Sequence, residues 1–168
     1  MEEYKHYMRP KGKGLKLHIG CGDYWFDGYI NIDMHVYGGT DMLWDVRKGL
    51  PFQPETVEVI EAYEFLEHLN KDEAFNQLEE WKRVLISGGT VRISVPDMDG
   101  LISMYGTDPQ DTIAMIYGYE DHPHHKWGYT KDTLKELFEK HGFIEVTVIQ
   151  GHIEGRENEP QLILEAQK

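Results

Sequence analysis

Apolar residues change their spacing along this chain in an order that predicts alternating strands and helices. Leu15, Leu17 and Ile19 alternate with Lys16 and His18, a two-residue period that turns one side of a strand to a core. Tyr29 to Ile32 reads as a second short strand, and Asp41-Met-Leu-Trp-Asp45-Val46 as a third that ends at Asp45. Pro51 follows Leu50 and cannot join a central ladder, so the chain turns there. Val57 to Ala62 is a short, mostly apolar run suited to a buried strand, with Tyr63 to Leu69 as the loop at its carboxyl end.

From Asn70 the period lengthens. Ala74, Phe75, Leu78, Trp81, Val84 and Leu85 recur at helical spacing, Asn70 and Glu73 form a capping-box pattern, and Gly88-Gly89 marks the helix end. Val91 to Val95 reads as the next strand, closed by Pro96-Asp97. Residues 97–129 are the least regular stretch, with Asp108-Pro109 opening a helix whose body is Thr112 to Tyr117. Thr130 caps a further helix with Leu134, Leu137 and Phe138 inward, and Gly142 follows it. Phe143 to Ile149 and Leu162 to Ala166 are strands joined only by a polar loop, which pairs them as a hairpin and makes the last one antiparallel. The alternation as a whole predicts an α/β domain with a mostly parallel sheet, whose ligands bind at the carboxyl ends of the strands.

The first of those ends carries Gly20-Cys21-Gly22, and the second carries Asp33. Glycines after a first parallel strand let the backbone approach a ligand with no Cβ in the way. A carboxylate at the tip of the next strand sits where a ribose diol can donate to it. This pattern points to an adenosine cofactor. A dinucleotide such as NAD would call for a third glycine at position 25 and a helix N-terminus for its pyrophosphate. Position 25 is Trp, and Asp23 to Gly28 leave room for one turn only. S-adenosylmethionine has no phosphate and carries a sulfonium and an ammonium, which suit the acids Asp23, Asp33, Asp45 and Glu64 at strand ends. An ordinary glycine turn between buried strands is the plainer alternative.

The length of 168 residues fits one domain over 15–168, preceded by a basic leader over 1–14 that is read as solvated rather than as a lid. The net charge of −13 disfavours nucleic acid and anionic membrane as partners. No apolar run approaches bilayer length, and the amino end lacks the apolar core of a signal peptide, so the expected location is cytoplasmic. The one cysteine, Cys21, excludes an intrachain disulfide and reads as a small buried side chain beneath the glycine turn.

Taken together, these segments resemble the class I S-adenosylmethionine-dependent methyltransferases over essentially residues 15–167. The segments are His-Ile-Gly20-Cys-Gly22, Ile-Asn-Ile-Asp33, Glu64-Phe-Leu-Glu67-His68-Leu and Trp81-Lys-Arg-Val-Leu-Ile-Ser-Gly88-Gly89-Thr. The resemblance implies a Rossmann-like seven-stranded sheet with an antiparallel last strand, helices on both faces and an acceptor-side insertion at 97–129. It implies a cofactor site at Gly20, Gly22, Asp33 and Asp45, completed by the neighbouring His18, Cys21, Met34, Val46, Tyr63 and Glu64. Three departures stand out: His18 replaces the usual acid, Tyr24 replaces the third glycine, and the first crossover helix is cut to a turn.

The Glu64-x-x-Glu67-His68 pattern and the later His125-Lys-Trp-Gly-Tyr-Thr130 segment also resemble ubiquinone-pathway O-methyltransferases and small-RNA 2′-O-methyltransferases, which use a divalent cation. By that likeness Glu64, Glu67, His68 and His125 would hold Mg²⁺ or Mn²⁺. Without a metal, His125 or His68 is the candidate general base, since an imidazole titrates near neutrality. Trp127, Tyr129 and Tyr105 are candidates for packing or for contact with an acceptor ring. The function expected is methyl transfer to an oxygen or nitrogen of a small metabolite or glycan precursor. The alternatives are a cofactor-binding module without transfer activity, a metal-assisted RNA 2′-O-methyltransferase and an NAD-dependent oxidoreductase.

Overall fold

The computed structural model describes residues 14–106, 125–152 and 158–168. The leader before Gly14 and the expected helix over Thr112 to Tyr117 lie outside them. The strands are β1 (Leu15–Ile19), β2 (Ile30–Asp33), β3 (Met42–Leu43), β4 (Val57–Tyr63), β5 (Leu85–Pro96), β6 (Ile144–Gly151) and β7 (Gln161–Gln167). They form one sheet in the order β3-β2-β1-β4-β5-β7-β6. Every neighbouring pair from β3 to β5 is parallel, and β7 runs antiparallel between β5 and β6, as the hairpin reading expected.

Helix α1 (Lys71–Val84) starts at a complete capping box, with the Glu73 amide donating to the Asn70 side chain and the Asn70 amide to Glu73. Helix α3 (Lys131–Lys140) starts at Thr130. Both pack on one face of the sheet, where the Trp81 and Phe138 rings meet at 6.3 Å over Ile60, Ile93 and Leu164. Each of these fully buried side chains contributes about 1.5–3 kcal/mol by leaving water. The opposite face of β1, β4 and β5 carries Lys16, His18, Glu61, Tyr63 and Arg92.

Three expectations are corrected. The third strand is only Met42–Leu43, because Asp45 leaves the ladder to cap a 3-10 turn over Val46–Lys48. Gly88-Gly89 does not end a helix. The chain passes from Val84 straight into β5 at Leu85, and the glycines form a bulge where β5 skips ahead of β4 between Val57 and Val59. Gly88 takes a φ of +75° there, which a side chain would strain. Within the irregular stretch, Asp97 caps a helix, α2 (Met98–Tyr105), that no apolar periodicity signalled.

The first crossover is the unusual part. Parallel strands usually need a crossover of a dozen or more residues, most often a helix. Here β1 and β2 are joined by residues 20–29 with no helix at all. Asn31, fully buried in β2, takes over the helix's task. Its Oδ1 accepts from the Phe26 amide at 2.9 Å and from His18 Nδ1 at 3.1 Å. Its Nδ2 donates to the Phe26 carbonyl at 3.1 Å and to Asp41 Oδ2 at 2.7 Å. Phe26 in turn stacks on His18 with ring centroids 4.0 Å apart. Around this stack the hydroxyls of Tyr29 and Tyr63 both donate to Glu61, at 2.8 and 2.7 Å. Burial and then the Glu61 carboxylate push the Tyr29 phenol up to about 12.

Replacing Asn31 by Ala strands several buried donors and acceptors at once, so a loss of about 2–4 kcal/mol is expected in urea unfolding. A loss below about 1 kcal/mol would mean that the crossover is held by something else.

Candidate functional site

The chain turns sharply after β1. The amides of Gly20 and Cys21 both donate to the Ile32 carbonyl, at 2.8 and 3.1 Å, which clips the turn to the end of β2. Gly20 and Gly22 have φ values of +67° and +52°, a region that L side chains rarely enter. A Cβ on Gly20 would stand 2.7 Å from the Phe65 ring, whereas a Cβ on Gly22 would meet nothing within 4 Å. The first glycine is therefore needed for packing, and the second keeps a space open.

That space is a cavity of about 440 Å³ at the carboxyl ends of β1, β2, β3 and β4. Its size suits a small-molecule site. At its centre the Asp33 carboxylate accepts the Gly22 amide at 3.0 Å and the His35 amide at 2.8 Å, one on each oxygen. Both bonds fix the carboxylate while leaving it capacity to accept more donors. On the β3 side stand Trp44, Asp45, Val46 and Arg47, and on the β4 side Glu64, Phe65 and His68. Glu64 holds a φ of +50°, a strained conformation for a non-glycine residue, with its amide on the Ser94 carbonyl at 3.1 Å.

Of the expected cofactor residues, Gly20, Gly22, Asp33, Met34, Asp45, Val46 and Glu64 line this cavity. His18, Cys21 and Tyr63 do not. His18 is buried behind the turn, where desolvation lowers its pKa. Cys21 is buried beside Thr40, and desolvation raises its thiol pKa. Tyr63 stands in the Glu61 cluster. Tyr24, which replaces the third glycine, is 64% exposed and leaves the cavity clear.

The second group lies where the loop after β4 meets the segment before α3. The amides of Lys126 and Trp127 donate to the Glu67 carbonyl at 2.8 and 3.2 Å, and Lys126 Nζ reaches Glu73 at 3.1 Å. The Met98 amide holds the Tyr129 carbonyl at 3.0 Å. These bonds bring His125 to His68, with ring centroids 5.0 Å apart. Glu67, His68 and His125 each offer a donor atom within 4.8 Å of the others. Glu64, the remaining expected ligand, is not in this group. Glu67 is 1% exposed, and Tyr129 beside it has its phenol held well above the ordinary range by burial and then by the Glu67 charge. Trp127 and Tyr129 line a separate groove with Phe75 and Leu137. His122 and His124 lie outside the described residues.

His35, Tyr37, Trp44, Arg47, Phe65 and Leu69 also line the cavity and were not anticipated. Their signal was positional: each lies within a few residues of a strand end already marked by a glycine or an acid.

No protein-family model matches the sequence, and no curated protein matches it either. Solved structures do. The chain superposes on an S-adenosylmethionine-dependent methyltransferase from Thermotoga maritima, described as a possible histamine N-methyltransferase, with a TM-score of 0.68 at 17% identity, over 93% of this chain and 83% of that one. A methyltransferase from Methanosarcina mazei gives 0.69 at 18% identity over 94% and 93%. Haemonchus contortus phosphoethanolamine N-methyltransferase 2, in complex with S-adenosylmethionine, gives 0.60 at 13% identity over 95% of this chain and 50% of that one. The fold is that of the S-adenosylmethionine-dependent methyltransferases.

The two glycines separate packing from ligand space. Gly20→Ala is expected to lower the thermal midpoint well below that of Gly22→Ala, because only the first adds a clash to the backbone strain of about 1–2 kcal/mol. Equal midpoints by calorimetry would mean that Phe65 yields freely.

Proposed function

We propose that this chain is an S-adenosylmethionine-dependent methyltransferase acting on an oxygen or nitrogen of a small acceptor, a metabolite or glycan precursor. One observation supports this most: the cavity at the carboxyl strand ends combines an open Gly22 with an Asp33 carboxylate fixed by two backbone amides. That pairing fits a ribose diol. The connection from β1 to β2 contains no helix, so it presents no N-terminus to a pyrophosphate, which argues against NAD. The relatives by structure, all methyltransferases by description, point the same way.

When bound, the cofactor supplies a methyl group on a positively charged sulfur. The residues of the chain do the rest. Asp33 accepts the ribose hydroxyls, and Asp33 and Glu64 give the wall a negative potential that suits a cationic ligand. Phe65, Leu69 and Trp44 exclude water and hold the nucleoside in one orientation. An acceptor hydroxyl or ammonium must lose a proton during the reaction, and His68 and His125 stand together on the side of the cavity where it would enter. A net charge of −13 favours a small acceptor over RNA.

A second reading adds a cation. Two imidazoles and a carboxylate within 4.8 Å suit a borderline divalent ion, Mn²⁺ before Mg²⁺. Glu67, His68 and His125 would hold it, with Glu64 left to the cavity wall. The cation would lower the pKa of an acceptor hydroxyl.

Calorimetry tests the cofactor. S-adenosylmethionine and S-adenosylhomocysteine are expected to bind, with Asp33→Ala weakening both by about tenfold or more. Binding of NAD alone defeats the proposal, and an unchanged affinity in the variant defeats the role of Asp33. For the cation, titration with Mn²⁺ is expected to give one site per chain that Glu67→Gln and His125→Ala each weaken by about tenfold or more. A site that survives both substitutions is not this one.

A further inference from the structure

The charge around the cavity is one-sided. From Leu17 to Val46 the sequence has no Lys or Arg, and Asp23, Asp27, Asp33, Asp41 and Asp45 all fall there. From Gly49 to Asn70 there is again none, and that stretch closes with the loop of Glu64 and Glu67. Both stretches carry the chain past the carboxyl ends of β1, β2 and β4, where the cavity opens. Among the described residues that line it, Arg47 alone is a Lys or Arg. Its charge is matched from two sides, since Nε and Nη2 donate to Asp45 at 2.7 and 3.0 Å and Nη1 lies 3.8 Å from Glu73. With that pair balanced, Asp33 and Glu64 leave the wall net negative.

A negative wall treats an oxygen and a nitrogen acceptor differently. A hydroxyl must approach the methyl carbon as an alkoxide or nearly so, and the wall raises the cost of forming that anion. The transfer then cancels the alkoxide charge against the sulfonium, so the wall favours the charged ground state over the transition state. An amine keeps its charge in the site. Its ammonium gives one proton to an imidazole of the His68–His125 pair, which becomes the cation. The freed lone pair on nitrogen bonds to the methyl carbon as the carbon–sulfur bond breaks, and the electron pair of that bond stays on sulfur. Positive charge has moved from sulfur to nitrogen within one field, which favours it at both places.

We propose that the acceptor is a cationic amine carrying no carboxylate or phosphate, an assignment that rests on the methyltransferase reading above in its form without a metal ion. A second, anionic group on the acceptor would have to leave water with no unmatched Lys or Arg on the described wall to receive it. The acids of the carboxyl-end loops also raise the local concentration of a cation before it enters.

The test uses the full chain in EDTA and needs no variant. S-adenosylmethionine carries one positive charge more than S-adenosylhomocysteine, so calorimetry at two salt concentrations reads the field. Raising NaCl from about 20 to about 300 mM is expected to weaken S-adenosylmethionine about fivefold or more and S-adenosylhomocysteine under about twofold. The S-adenosylhomocysteine complex is then titrated with three four-carbon compounds, putrescine, γ-aminobutyrate and succinate. Putrescine is expected to bind about tenfold tighter than γ-aminobutyrate, and succinate not to bind. Equal salt dependence of the two cofactors overturns the assignment. So does γ-aminobutyrate or succinate binding as tightly as putrescine, or no binding of putrescine at all. Each of these leaves the cofactor reading standing, because S-adenosylhomocysteine is bound when they are measured. Binding of neither cofactor overturns both.

Discussion

The carboxamide of Asn31 is the constraint on which the cavity depends. A parallel pair of strands must return the chain to the same end of the sheet, and a helix normally does this while satisfying its own backbone. Residues 20–29 have no such internal ladder, so their polar groups must find other partners. Asn31 offers an acceptor to the Phe26 amide and a donor to the Phe26 carbonyl, which gives an irregular segment the pairing that a strand would have supplied. It also holds Asp41, whose own amide returns to the Asn31 carbonyl at 2.9 Å. One buried side chain thus fixes both the loop after β1 and the approach to β3. The low local dielectric strengthens each bond of this set and raises the cost of losing one.

The consequence for the site is geometric. With no helix over the end of β1, the wall of the cavity there is backbone, the Gly20–Gly22 turn clipped to Ile32. The fixed charges are then few and well separated: Asp33 at the centre, the Asp45–Arg47 pair on one flank and Glu64 on the other. Each is held by a bond to an element other than its own or by a turn at its own strand end. The cavity wall is built before any ligand enters, which lowers the entropic cost of binding a small molecule there.

Much of this was legible in the sequence, and the reasons are specific. Strand-to-helix alternation, the capping box at Asn70 and Glu73 and the hairpin at the carboxyl end are local patterns, and the structure reproduces them. The shortness of the first crossover was visible as a count of residues. The misreadings share a cause. Gly88-Gly89 signals a break, but whether it caps a helix or bulges a strand depends on the register of β4 beside it. Asp45 signals a strand end, but its own side chain can cap a turn, and that shortened β3. His18, Cys21 and Tyr63 lie in the same motifs as Gly20, Gly22 and Glu64, yet none of them lines the cavity: His18 and Cys21 are buried, and the Tyr63 hydroxyl turns to Glu61. Arg47 had no pattern of its own to reveal it, because its place depends on Glu73 and Gln77 of a helix some thirty residues on.

The placement of Glu67 shows how the two halves of the site are joined. Its carbonyl accepts two successive amides of the segment 125–129, while its side chain stands with His68 and His125. The backbone of one residue therefore docks the distant segment, and the side chain of the same residue meets the imidazole that the segment delivers. A shift of that segment would break the hydrogen bonds and the His68–His125 contact together. Lys126 reinforces the arrangement by reaching Glu73, the same carboxylate that steadies Arg47. Such part-exposed ion pairs contribute well under about 1 kcal/mol each. Their value here lies in geometry: one carboxylate at the start of α1 stands between Arg47 on the β3 side of the cavity and Lys126 beside the His68–His125 pair, so the spacing of these two groups is set by the rigid first turn of a helix.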